Sequence, residues 1–191
     1  MTASLNGSDY LLLLLFLREK TPIKGAVRLE KMMFLFTKEI SKELKKTGLE
    51  SLKLPSFIAY NFGPFAKDVY EQVEFFRGID FIRITNLNAP DEMSEVDDWE
   101  ENPFIDELWA NEDLRFVSDS KYMKYEIADK GEKFVKEKLI PLISNEQKVI
   151  LEKFKTRIVT LKIKEILHYV YVNYPEFTKN SLIKGEVLGS E

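Results

Sequence analysis

No cysteine occurs in the 191 residues. That removes thiol nucleophiles, thiolate metal ligands and disulfides together, and points to a reducing, cytoplasmic setting. Histidine is almost as scarce. His168 stands alone, which excludes a histidine metal cluster and leaves a single imidazole as a candidate base. Its surroundings, Leu161 to Val170, read as an amphipathic helix, so a packed or partly exposed helix histidine is the expectation rather than a catalytic one. Phosphate-binding loops, the dinucleotide fingerprint and the Gly-x-Ser-x-Gly elbow are all missing. Long apolar runs are missing too. The longest, Tyr10 to Leu17, falls far short of the roughly 20 residues that span a bilayer. It has no basic stretch before it and no small-residue cleavage site after it, so it reads as a first core helix rather than a signal peptide. These absences predict a protein that is not an enzyme, needs no cofactor or metal, and does not enter a membrane.

A last absence is local. Between Leu87 and Asp113 there are eleven acidic residues and neither lysine nor arginine. The remainder holds 28 basic and 21 acidic residues, a net of +7 against −4 for the whole chain. A mildly basic body therefore carries a strongly acidic segment. That segment also holds Trp99, Phe104, Leu108 and Trp109. Its acids have no basic neighbours and no calcium-loop spacing, so a carboxylate active site is not expected there.

What is present is a well-supplied core. Fourteen Phe and eight Tyr exclude disorder as the default. The pattern predicts a mostly helical α+β fold. A first helix is expected from about Ser8 or Asp9 to Arg18, with Ser8 as its N-cap. After Thr21-Pro22 and Gly25, a second helix buries Leu29, Met32, Met33, Phe36, Ile40 and Leu44 and ends at Gly48. Lys31, Lys38, Lys42 and Lys45 share its other face, with Glu39 and Glu43 among them, and are expected in water. Phe57 to Phe62 reads as an extended piece. Gly63-Pro64 should open a third helix lined by Val69, Val73 and Phe76. Strands are expected at Phe81–Thr85, Leu114–Val117 and Tyr122–Ile127. Capping-box spacings at Asp129/Glu132 and Ser144/Gln147 start two further helices. A last helix should run from about Ile158 to Val172, stopped by Pro175, with a loose polar tail from Thr178.

Helix, helix, helix, strand, wing-like strands and helix is the order of a winged helix. Three stretches sharpen it: Gly25 to Met32, Phe57 to Tyr70 with Gly63-Pro64 at its centre, and Tyr125-Glu126-Ile127-Ala128-Asp129-Lys130-Gly131, a phrase that leaves the wing in many such domains. Together they resemble the Panacea (SocA-like) antitoxin domain and related prokaryotic winged-helix proteins, over roughly Gly25 to Lys138. The acidic stretch is longer than that family's usual connection, and the helices after Pro141 lie outside the likeness. The resemblance implies a winged-helix-like core with a small antiparallel sheet, placed at residues 1–140, and the pattern beyond it predicts a C-terminal helical extension over 141–177 and a tail over 178–191. It also implies a non-enzymatic module that neutralises a toxin by binding it.

Two sets of residues are candidates for contact. Tyr60, Phe62, Gly63, Pro64 and Phe65, with Trp99, Phe104 and Trp109 of the acidic segment, would hold a protein partner: aromatics supply area, and acids steer a basic toxin or a nucleic-acid-associated protein. For each group the alternative is plain packing. Lys153, Lys155, Arg157, Lys162 and Lys164 form the more basic surface and would serve a DNA-binding regulator, or simply face water. The third helix, where a winged helix usually reads DNA, offers Lys67, Asp68, Glu71, Gln72, Glu74 and Arg77 outward, three of which repel phosphate. Tyr169, Val170, Tyr171 and Val172 carry more apolar surface than one helix face needs, which leaves a homodimer as a further alternative.

Overall fold

The structure is a computed structural model and describes residues 5–48, 53–86 and 123–189. The acidic segment, with Trp99, Phe104 and Trp109, and the strand expected at Leu114–Val117 lie outside them.

Helix α1 (Gly7–Lys20) is capped by Asn6 rather than Ser8. The Asn6 side chain accepts from the Ser8 and Asp9 N–H groups, and the Asp9 carboxylate accepts from the Asn6 N–H. Leu11 to Leu15 are all buried, because α1 is enclosed by other elements and needs no polar face. Its regular part stops before Leu17, after which Arg18, Glu19 and Lys20 take left-handed φ values of 55°, 54° and 60°. Strand β1 (Ile23–Lys24) leads to α2 (Ala26–Leu35), which continues through a π-helical turn (Phe36–Ile40) into α3 (Ser41–Lys46).

Here two expectations change. Lys31 is not on the wet face: it is fully buried, with its ammonium bonded to the Glu30 carboxylate and the Pro64 carbonyl, each at 2.8 Å. Gly63-Pro64 does not open a helix either. Residues β2 (Ile58–Tyr60) and β3 (Gly63–Phe65) pair as a small antiparallel hairpin, and α4 (Lys67–Gly78) begins only after Ala66. The Pro64 carbonyl turned toward Lys31 holds that residue in the hairpin.

Strands β4 (Ile82–Asn86) and β5 (Met123–Ile127) pair antiparallel, with β5 central in a sheet ordered β1-β5-β4. Ile23 and Ile84 both face Tyr125 across the ladder. The elements α1, β1, α2, α4, β4 and β5 follow one another in that order within a mostly helical α+β fold with a small antiparallel sheet. Helix α5 (Asp129–Phe134) starts after Ala128 without a side-chain cap. The expected capping box is absent because the N-cap falls on Ala128, which has no side chain to cap with, and Glu132 binds Lys20 and Lys136.

After a π turn and a 3-10 turn come α6 (Asn145–Thr160), whose Ser144/Gln147 capping box forms as expected, and α7 (Ile163–Asn173). The last helix, expected from about Ile158, thus begins at Ile163, because α6 runs on to Thr160. Leu161 and Lys162 are extended, the Glu165 carboxylate accepts the Lys162 N–H, and Arg28 donates to the Ile158 and Leu161 carbonyls. These C-terminal helices join the core, with α6 packed on α1 and α7 on α2. The tail is not loose. Thr178, Ile183 and Val187 are buried, helix α8 (Lys184–Leu188) packs on α7, and the Leu182 N–H bonds to the Asn61 carbonyl.

Candidate binding surfaces

The hairpin is mostly structural. Phe62, Gly63 and Pro64 are buried, while Tyr60 and Phe65 are half-buried with ring centres 5.1 Å apart. Gly63 has φ 87°, and a Cβ there would stand 3.1 Å from the Tyr171 ring of α7. Phe65 stacks on Tyr70, whose hydroxyl faces the Glu30 carboxylate. Burial pushes that carboxyl up, while Lys31, the Ala66 N–H and Tyr70 oppose the shift. The Tyr171 hydroxyl, also pushed up by burial, meets Ser181 at 2.6 Å. A buried polar cluster thus fastens the hairpin to α2, α4 and α7. Only Tyr60 and Phe65 of the five expected hairpin contacts reach the surface, together with Ile58, which is exposed.

Beside the hairpin, α4 buries Val69, Val73 and Phe76 as expected. Its outward cations are already engaged within the helix: Lys67 with Glu71 at 2.9 Å and Arg77 with Glu74 at 2.6 Å. Between them Phe75 stands 62% exposed. A ring in that position is at odds with a phosphate-facing helix and suits an apolar partner surface.

The expected basic set divides. Lys155 is fully buried: its ammonium donates to the Leu14 carbonyl, with Leu15 near, where α1 loses its regular hydrogen bonding. Burial and then Arg18 push its amine down to about 7. It is a cap for α1 and presents no charge outside. The other four converge. Lys153, Arg157, Lys162 and Lys164 line a groove of about 810 Å³ between the α2 π turn, α6 and α7. The floor of this groove is apolar, with Leu35 and Ile40 on one side and Ile150, Phe154 and Ile158 on the other. Glu39, from the π turn, accepts hydroxyl hydrogen bonds from Tyr169 at 2.9 Å and Tyr174 at 2.7 Å. Burial, then Glu39, raises both tyrosines. Arg157 lies 5.2 Å from the Tyr169 ring centre. The extra residue of a π turn widens a helix and often marks a working surface.

Sequence reasoning missed this groove, although one signal pointed at it: the apolar surplus at Tyr169 to Val172. Val170 and Tyr171 fill the core, whereas Val172, 55% exposed, opens into the groove. His168, exposed on α7, stands at the same rim. Among the described residues no cluster of acidic and histidine side chains is placed to hold a metal, and no helix is long and apolar enough to cross a membrane. Compared with protein-family models, curated proteins and solved structures, the chain matches none.

Proposed function

We propose that this chain is a binding module that captures a protein partner and occludes its surface, in the antitoxin-like manner implied by the Panacea resemblance, with no bond made or broken. The observation that carries the reading is the α4 face. At the place where a winged helix meets DNA, both cations are tied to acids of the same helix and the exposed large apolar side chain is Phe75. Phosphate contact would have to break those pairs and would leave a ring in water. An apolar partner surface would cover the ring and keep the pairs at its rim, where charges set specificity and encounter rate.

The second reading, a winged-helix DNA-binding regulator, is favoured by one observation: Lys153, Arg157, Lys162 and Lys164 gather at one groove. Glu39, Glu43 and Glu165 line the same groove and weaken it. Binding to a labelled DNA duplex across a salt series separates the two. The protein-binding reading expects weak association without a steep salt slope. A slope corresponding to several released counterions would favour the regulator.

A further inference from the structure

We infer that the groove between the α2 π turn, α6 and α7 is a docking site for a partner's amphipathic helix whose flanks carry carboxylates. The inference rests on the reading of the chain as a protein-binding module and adds a second surface to α4. Three observations carry it. The floor is apolar and drawn from two packed helices and a π turn, a shape that accepts the apolar stripe of a helix. From Ile150 to Ile158 the α6 wall extends about 12 Å at 1.5 Å per residue, room for two to three turns of an occupant.

The charges around it are uneven in what they still need. Glu39 is engaged by two tyrosine hydroxyls, and Glu165 by the Lys162 N–H. Lys153 and Lys164, exposed at the rim, have no ion-pair partner among the described residues. These two rim cations are thus open to a partner's carboxylates, which an acidic flank supplies. Nucleic acid fits less well, because its phosphates would cover an apolar floor and meet Glu43.

The test is a selection of displayed random 16-residue peptides on the intact chain, followed by affinity measurement of the enriched sequences on variants. We expect enrichment of apolar residues at i, i+3 or i+4 and i+7, flanked by Asp and Glu. We expect about ten-fold weaker binding to Lys153→Glu/Lys164→Glu, and a similar loss on Val172→Lys. All three positions are exposed, so circular dichroism should match the parent chain. Exchanging the peptide's acids for lysines should restore binding to the double variant. Absence of enrichment, enrichment of basic or uncharged peptides, or affinities indifferent to these variants would overturn the docking site. Peptides lost on Phe75→Asp but kept by the groove variants would sink the groove and leave the protein-binding reading standing. A rim that takes only an oligonucleotide would remove both.

Discussion

Single side chains explain most of what holds the two surfaces in place. Gly131 closes the wing phrase because a Cβ there would stand 2.2 Å from the Phe81 carbonyl. Overpacking of this kind costs about 3 kcal/mol where backbone cannot yield. Gly131→Ala should therefore lower the urea midpoint sharply, while Gly185→Ala, with nothing near its Cβ, should leave it within error. Lys155 gives a pH signature. Its folded-state value is depressed to about 7 from an ordinary 10.5, so between those values the unfolded chain holds more protons. Stability from this group is thus lowest below pH 7 and rises as pH climbs toward 10. Unfolding followed at pH 7 and 9.5 should show that rise in the parent chain and a smaller one in Lys155→Met; equal slopes would contradict it. Lys31 and Lys155 also show where residue-type reasoning stops. Both look like solvated lysines by spacing, and both are buried because oxygens from distant segments, Pro64 and Leu14, lie within reach of their ammonium groups.

At the scale of elements, periodicity was a good guide wherever one helix face alone is buried. The stripes of α2 and α4, the β4 and β5 strands and the Ser144/Gln147 cap are all legible in the sequence, because local spacing and capping chemistry determine them. Three features were not. The β2–β3 hairpin depends on Lys31, thirty-three residues away. The break between α6 and α7 depends on Arg28, which takes the Ile158 and Leu161 carbonyls. The π turn that shapes the groove leaves no apolar period of its own. The C-terminal tail is the fourth difference: polar in composition, it still buries Ile183 and Val187. Each such side chain contributes about 1.5–3 kcal/mol when withdrawn from water. Truncation after Phe177 should consequently lower the thermal midpoint by several degrees and loosen the hairpin through the lost Leu182–Asn61 hydrogen bond. An unchanged midpoint would mean that α8 adds nothing to the fold.

For the whole molecule, the winged-helix resemblance would make α4 the helix that meets DNA, yet both of its cations are paired within the helix and Phe75 stands exposed beside them. Net charge divides the same way, with a basic body and an acidic segment between β4 and β5 in sequence. Fold alone does not select a partner; the site does. Phe75 on α4 and the apolar groove beside α7 both favour contact with protein over contact with phosphate.

The most direct measurement is recovery of partners by the intact chain and by Phe75→Asp from one cell extract, each with and without nuclease. The account predicts a stoichiometric protein that survives nuclease and is lost with Phe75→Asp, while the variant keeps the parent's thermal midpoint. Material that vanishes with nuclease and is indifferent to Phe75 would contradict it.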